Sequence, residues 1–425
     1  MKKSKLIALL VLILLFLSSC NFTSFDTSTI LTAPLMNPQD QQIRKAISDA
    51  VGGPYEPVYP KTGNYQSAII LTDLSGDKVN DAVCFFKAGT DQNVSFIILK
   101  NTQDKWEAMS ISKSQALGVD RVSFCELTGD EKKEIIIGWQ YLSGEENAFE
   151  IFTIEKDNII SSKYTSMYND FIVSDDCVTV ISKNIAAKTS SASLIGNSDG
   201  NISIINTVSL NNSIVGFSKI QTCKFDEYTT LIYLDEQLEN HTYTTELLSL
   251  SRKDKLSLSA INLEGQTNRT KAYTCIDADS DGIIDLPTEV QLPSYNRNGT
   301  QENLSYVEWY KITSKELKFI KSTYSSVNEP FYIEIPSKWK NNITIEKNAD
   351  SERIIHFYTI ENKLPMFSIR VFSRQEYTDS TEKEEWKEIA ESGENLYTFR
   401  NDGKDLPDEY NVTEQIIKKL FVVLS

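Results

Sequence analysis

The chain has 425 residues, of which 59 are acidic and 43 basic, and its formal net charge is −16. This acidity disfavours nucleic acid and anionic lipid head groups as partners, and it leaves room for bound cations. The sequence contains only two histidines, His241 and His356, which argues against histidine-based metal sites and against general-base catalysis by histidine.

The N-terminus has the features of a secretory signal. Lys2, Lys3 and Lys5 form a positive segment, and an uncharged apolar run follows over residues 6–17. That run is too short for a bilayer core, which takes roughly 20 residues. It ends in Leu-Ser-Ser-Cys at residues 17–20, and no second apolar run of spanning length occurs in the sequence.

The Leu-Ser-Ser-Cys segment resembles the bacterial lipobox. In that family the cysteine thiol accepts a diacylglyceryl group, and cleavage before the cysteine removes the signal peptide. The resemblance implies a signal peptide at residues 1–19, lipidation of Cys20 and a flexible Ser/Thr/Asn-rich tether over residues 20–37. We therefore expect a protein anchored by lipid at the extracytoplasmic face of a cell membrane. The alternatives are an ordinary signal peptide with a chance cysteine, and an uncleaved anchor.

A short helix is predicted over residues 38–51. Asn37 precedes Pro38 in the manner of an N-cap followed by a first-turn proline, and Gly52 stands at the other end. Ile43 and Ile47 fall on one helical face, which we expect to pack on the structure that follows.

From about residue 60 to 325, apolar runs of strand length recur between Gly, Asn, Asp and Ser residues. This texture predicts an all-β region. The clearest runs are 67–71, 82–86, 94–99, 134–139, 149–154 and 230–234.

An acidic loop motif recurs through this region in phase. Its readable copies are the Asp73 loop (residues 73–81), the Glu126 loop (126–134) and the Asp277 loop (277–285). Their starts are separated by one and by three periods of about 50 residues, and two worn copies are expected near 175–177 and 225–226. A period of this length with several strands per unit is typical of a β-propeller, here of about five blades.

The loops resemble those of the FG-GAP/VCBS repeat family, which includes integrin-like β-propellers. The family pattern is Asp-x-Asp/Asn-x-Asp-Gly-x-x-Asp between two strands of a blade. The Asp277 loop matches it in full, the Asp73 loop has Ser75 at the third position, and the Glu126 loop matches by position. The resemblance implies a propeller over about 260 residues.

Calcium is the ligand expected at the Asp277 loop. Ca²⁺ takes six to eight oxygen ligands, and acids at alternate positions of a tight turn can supply them. The predicted ligands are the side chains of Asp277, Asp279, Asp281 and Asp285 with the carbonyl of Ile283. A solvated acidic turn without metal is the alternative.

The other two loops are weaker candidates. At the Asp73 loop the ligands would be Asp73, Ser75, Asp77 and Asp81 with the carbonyl of Val79, and the smaller charge predicts weaker calcium binding. At the Glu126 loop Thr128 replaces an acid, so either calcium binds there or Asp130 caps the turn through backbone hydrogen bonds.

After about residue 325 the repeat of short strands and acidic loops ends, and the sequence of residues 326–425 predicts a separate α+β domain. Its expected helices cover residues 381–392 and 412–423, and its expected strands include 343–346, 354–359 and 367–372. Residues 38–325 would then hold the short helix and the propeller.

Five cysteines remain beyond Cys20, an odd number without metal-like spacing, and we expect them to be small buried residues rather than a disulfide framework. The sequence has no G-x-S-x-G, P-loop or H-E-x-x-H motif, and we expect no catalytic residues. The favoured function is non-catalytic binding or scaffolding with an unknown protein or glycan partner. The alternatives are an extracytoplasmic enzyme acting on polysaccharide or cell wall and an accessory subunit of an envelope complex.

Overall fold

A computed structural model describes residues 37–102, 105–141, 147–155, 160–184, 187–263, 265–292, 304–313, 316–325, 330–348 and 351–424. The predicted signal peptide, the lipidation site Cys20 and the tether up to residue 36 lie outside the described residues. Of the described residues, those up to Ser123 form one compact unit with those in Glu131–Glu145 and Glu150–Lys163. The second unit contains Phe124–Asp130, Glu146–Phe149 and the residues from Tyr164 onward.

The first helix, α1 (Pro38–Val51), has the predicted bounds. The side chain of Asn37 caps it by accepting a hydrogen bond from the N–H of Gln39, and Gly52 ends it in the left-handed conformation at φ +72°. Ile43 and Ile47 are buried against apolar residues of the first sheet, so the amphipathic face is used as the sequence indicates.

The first two sheets follow α1 in chain order. The first contains β1 (Tyr55–Pro57), β2 (Ile69–Thr72), β3 (Asp81–Ala88), β4 (Ser95–Thr102) and β5 (Lys105–Lys113). Its strands pair antiparallel, with both β1 and β2 against β3. The second is a four-stranded sheet in chain order, β6 (Gly118–Cys125), β7 (Glu134–Gln140), β8 (Asn147–Ile154) and β9 (Ile160–Tyr168).

The third and fourth sheets are consecutive four-stranded antiparallel meanders. The third contains β10 (Asp170–Ser174), β11 (Cys177–Asn184), β12 (Thr189–Ser198) and β13 (Asn201–Leu210). The fourth contains β14 (Ile214–Lys224), β15 (Thr229–Leu238), β16 (Tyr243–Ser251) and β17 (Ser257–Ile261). Leu194 of the third sheet and Leu234 and Leu248 of the fourth lie in one buried cluster, so side chains of both sheets build a common core.

The fifth sheet contains β18 (Leu286–Gln291), β19 (Ser305–Ile312), β20 (Leu317–Ser325), β21 (Phe331–Ile335) and β27 (Phe421–Val423). The sixth contains β22 (Ile343–Asn348), β23 (Ser351–Thr359), β24 (Pro365–Ser373), β25 (Lys387–Ser392) and β26 (Asn395–Asn401). Two further short helices are α2 (Arg374–Asp379) and α3 (Glu414–Leu420). The described chain is thus mainly β, and its sheets of four or five strands confirm the predicted fold class.

The acidic loops occupy equivalent positions in successive sheets. The Asp73 loop joins β2 to β3, and the Glu126 loop joins β6 to β7. The worn copies near 175 and 225 join β10 to β11 and β14 to β15. The Asp277 loop leads into β18 from a single antiparallel bridge between Ile276 and Asp285. The spacing of the acidic loops along the sequence therefore matches the spacing of the sheets along the chain.

The C-terminal region differs from its prediction in two ways. Residues 381–392 are not a helix, because 387–392 form β25, which pairs with β26. Trp386, expected on a helical face, is buried against Phe372 with ring centroids 6.2 Å apart. The predicted helix 412–423 is shorter, since Phe421–Val423 leave it and pair with β21.

The predicted domain boundary at 325/326 falls within the fifth sheet. Ser325 of β20 pairs with Tyr332 of β21, so the first strand assigned to the C-terminal region continues that sheet. Sheet pairing, which links residues distant in sequence, places both β21 and β27 with β18–β20.

Among the described residues, no helix combines the length and apolar character needed to cross a membrane. The five cysteines of the described chain, Cys84, Cys125, Cys177, Cys223 and Cys275, are buried, as predicted, and form no disulfide bond with one another.

Candidate metal centre

The Asp277 loop is held by its own carboxylates. Asp277 accepts hydrogen bonds from the backbone N–H groups of Asp281 (3.1 Å) and Gly282 (2.9 Å). Asp285 accepts from the N–H of Ala278 at 2.8 Å, and its own N–H donates to the carbonyl of Ile276. Gly282 supplies the φ of +88° that the turn requires. The first and last acids of the motif therefore fix the loop.

Three carboxylates converge inside this frame. One oxygen from each of Asp277, Asp279 and Asp285 lies within 4.8 Å of the others. Asp285 has no exposed surface, and its Oδ1 has no hydrogen-bond partner. Burial, with a smaller contribution from the charges of Asp279 and Asp277, raises the pKa of Asp285 to about 6.

This arrangement fits a hard cation. Hydrogen bonds to backbone N–H groups use only part of the accepting capacity of a carboxylate, so lone pairs remain for an ion. The unpartnered Oδ1 of Asp285 is a buried acceptor that a cation would satisfy, and all three donors are oxygens, as calcium prefers. Asp277, Asp279 and Asp285 are the residues that would hold it.

The remaining predicted ligands have other contacts. Asp281 is outside the three-carboxylate cluster. Its Oδ1 accepts from the N–H of Ile283 at 2.9 Å, and its other oxygen contacts the ammonium of Lys311. Lys311 also lies 2.9 Å from Oδ2 of Asp279. This lysine lies on β19, the second strand after the loop, and no feature of its local sequence marks it as part of the site.

The Asp73 loop repeats the same hydrogen-bonding frame. Asp73 accepts from the N–H groups of Gly76 (2.8 Å) and Lys78 (2.9 Å). At the far end, Asp81 accepts from the N–H of Leu74 (3.4 Å), and burial raises its pKa.

The middle of the Asp73 loop differs from that of the Asp277 loop. Asp77 accepts from the N–H of Val79 at 2.9 Å, as Asp281 does from Ile283. At the position of Asp279 stands Ser75, whose Oγ is buried without a hydrogen-bond partner. Within the described residues, the Asp73 loop brings no three carboxylates together.

The Glu126 loop is organised by one carboxylate oxygen. Oε1 of Glu126 accepts from the N–H groups of Thr128 (3.0 Å), Gly129 and Asp130 (3.2 Å). The longer glutamate side chain reaches into the turn and caps it. Asp130, which the sequence offered as a cap if calcium does not bind, accepts a hydrogen bond from the hydroxyl of Thr128 at 3.0 Å.

Neither histidine lies in the carboxylate cluster. His241 is in the turn between β15 and β16, at φ +61°. His356 lies on β23, where its Nδ1 is 2.6 Å from the hydroxyl of Ser368. That hydroxyl donates to Asp402, which also accepts from Nε of Arg400 at 2.6 Å. Burial lowers the pKa of His356, so its imidazole is neutral at physiological pH.

Comparisons with known proteins assign no family to the chain. No protein-family model and no curated protein matches the chain. Similar solved structures include the β-propeller domain of the trilobed protease from Pyrococcus furiosus, at 7% identity and a TM-score of 0.28, covering 72% of this chain and 90% of that one.

Two others are a protein from Lactobacillus plantarum and an exo-β-1,3-galactanase from Phanerochaete chrysosporium. The first has 9% identity and a TM-score of 0.30, and it covers 71% of this chain and 83% of that one. The second has 9% identity and a TM-score of 0.27, with 75% and 81% covered. At these scores the likenesses assign no activity to this chain.

Proposed function

We propose that the protein is a lipid-anchored extracytoplasmic lipoprotein whose FG-GAP/VCBS-like β-propeller is stabilised by calcium and binds or scaffolds a protein or glycan partner. The observation that carries this proposal is the cluster of Asp277, Asp279 and Asp285 around a buried, unpartnered carboxylate oxygen. A cation there ties a loop together and transforms no substrate, so the role is structural. A second, weaker calcium site at the Asp73 loop belongs to the same proposal.

The buried acids of the fourth sheet support a binding role over an enzymatic one. Burial, followed by the nearby charge of Glu246, raises the pKa of Glu236 to about 10, a shift of the size that catalytic acids show. Glu236 has no exposed surface, however, and the neighbouring Asp235 is held by Arg269 in a buried ion pair at 2.8 Å. Neither acid is placed to touch a substrate.

Three cavities of the second unit each present a single acid in their described lining. A cavity of about 600 Å³ in the second unit is lined by residues of β15–β17, of β19–β20 and of the adjoining loops, and Glu316 is the one acid of its described lining. General acid–base hydrolysis of a glycoside uses two carboxyl groups that flank the bond. The cavity therefore favours binding over such hydrolysis.

Calcium-dependent stability tests the metal site. A ligand that binds only the folded state stabilises it by about 2.7 kcal/mol at one hundred times its Kd. Calcium should therefore raise the melting temperature of the wild type relative to EGTA, and Asp279→Ala should lose most of that difference. In EGTA the variant should stay near wild type, because the lost ion pair with Lys311 is offset by relief of repulsion among the acids.

Asp226→Ala is the matched control. Asp226 holds a turn in a worn copy of the motif by accepting from the N–H of Tyr228 at 2.8 Å. Its removal should weaken the protein equally with and without calcium. If calcium stabilises Asp279→Ala as much as wild type, the Asp277 loop is not the metal site.

Membrane fractionation tests the anchor independently. The wild type should be processed and partition with membranes, and Cys20→Ala should be released or mislocalised. A Cys20→Ala protein that stays in the membrane fraction, unchanged in size, would show that the apolar run itself is the anchor.

A further inference from the structure

Lys311 is positioned against the Asp277 loop by strand pairing. Leu286, the residue after the last acid of the loop, pairs with Tyr310 in the register between β18 and β19. Lys311 is the next residue of β19, and Ile312 beyond it is buried in the cluster that contains Leu286. The backbone register therefore fixes where the lysine side chain begins.

The ammonium of Lys311 contacts two acids of the loop. It lies 2.9 Å from Oδ2 of Asp279 and contacts the carboxylate of Asp281. The lysine side chain is 19% exposed, and that of Asp279 is 32% exposed. Charges that are partly withdrawn from water interact more strongly than fully solvated ones, so this pair counts for more than a typical surface ion pair.

Asp279 is therefore shared between two cations when a metal binds. One of its oxygens belongs to the three-carboxylate cluster, and Oδ2 contacts Lys311. A divalent ion in the cluster repels the ammonium, and it also competes for the negative charge of Asp279. Without metal, the same ammonium reduces the repulsion between Asp279 and Asp281.

We infer that Lys311 is a tethered counter-cation that holds the Asp277 loop in the metal-free state and weakens its affinity for calcium. This inference rests on the proposed calcium site and names its regulation. The lysine adds one positive charge beside the site. An incoming calcium ion must either displace the ammonium from Asp279 or bind against its repulsion. Calcium occupancy of the loop should then follow the external calcium concentration rather than saturate permanently.

The test is calcium titration of the full-length protein by isothermal calorimetry, with Lys311→Met as the variant. Loss of the positive charge should lower the Kd of the loop by at least about tenfold, which corresponds to about 1.4 kcal/mol. In EGTA the same variant should melt below wild type, since the acids lose their counter-charge. This opposite pair of effects, tighter metal binding and a weaker metal-free state, is not expected from a residue that only packs.

Lys318→Met is the matched control. Lys318 pairs with Lys311 in the register between β19 and β20 and is exposed. The Lys318→Met substitution removes the same charge from the neighbouring strand and leaves the loop unchanged. It should therefore leave both the Kd for calcium and the melting temperature unchanged. Lys311→Arg keeps the charge and should stay within a few-fold of wild type, which keeps the test decisive if Lys311→Met fails to fold.

The outcomes separate this inference from the site on which it rests. If wild type and Asp279→Ala bind calcium identically, the proposed site is wrong. If wild type binds through the loop and Lys311→Met binds with equal or lower affinity, the site stands and the role of Lys311 is overturned. If Lys311→Met is unfolded and Lys311→Arg loses metal-free stability as well, the lysine acts by packing and the inference is also overturned.

Discussion

The Asp73 loop and the Asp277 loop share a backbone frame and differ in the residue at its centre. In both, the first acid accepts two N–H groups of the turn and the last acid accepts the N–H one residue after the first. The centre holds Ser75 in one loop and Asp279 in the other. The frame therefore depends on the acids at the two ends, while the capacity to gather three carboxylates depends on the central residue.

The largest expected difference between the loops concerns their glycines. Gly76 has φ +77°, and a Cβ there would lie 2.6 Å from the carbonyl oxygen of Glu131. Gly282 has φ +88° with open space around it. Left-handed backbone costs a non-glycine residue about 1–2 kcal/mol, and the backbone clash adds to this for Gly76→Ala.

Urea unfolding in EGTA should therefore show Gly76→Ala destabilised by about 3 kcal/mol or more and Gly282→Ala by about 1–2 kcal/mol. Equal losses would mean that the segment around Glu131 moves away freely.

Removal of the last acid should distinguish the loss of the loop's hydrogen bonds from the loss of metal binding. Asp81→Ala leaves the N–H group of Leu74 without this acceptor, and an unsatisfied buried donor costs about 1–3 kcal/mol. Asp285→Ala should cost less in EGTA, because it also removes a buried carboxylate oxygen that has no hydrogen-bond partner. Melting curves should show calcium stabilisation lost only in Asp285→Ala. A calcium response lost in Asp81→Ala and kept in Asp285→Ala would place the main site at the Asp73 loop.

Replacement of the central residue should convert one loop toward the other. Ser75→Asp, made together with Asp279→Ala, adds a third acid to the Asp73 frame and should restore a calcium-dependent rise in melting temperature. The expected gain is about 1.4 kcal/mol, a tenfold change in affinity. Ser75→Asn adds an oxygen without charge and should restore less. No gain in the aspartate variant would show that a third acid in this frame is not enough to make a metal site.

Local signals in the sequence identified much of this structure. The bounds of α1 follow from Asn37, Pro38 and Gly52, whose effects act within one turn of the chain. The acidic loops are equally local, and their phase matches the sheets. Asp279 and Asp285 converge as their spacing predicts, whereas Asp281 lies outside the three-carboxylate cluster and contacts Lys311.

The misplaced elements depend on pairing between distant strands. Residues 381–392 satisfy a helical apolar period, but 387–392 form a hairpin with β26, and Trp386 is buried with Phe372 and Leu396. The contact of Lys311 with Asp279 arises from the register of β18 against β19, which no short window of sequence contains. Pairing between distant strands determines both features. Periodicity over a few residues does not reveal such pairing.

The late strand β27 has a consequence for the order of folding. During synthesis β21 emerges before the whole sixth sheet, yet its antiparallel partner Phe421–Val423 comes after that sheet. Until then Phe331 and Ile333, both buried in the finished fold, border an unpaired strand edge, which is a template for association with other chains. The free edge of β21 therefore stays exposed until the last strand of the described chain has been made.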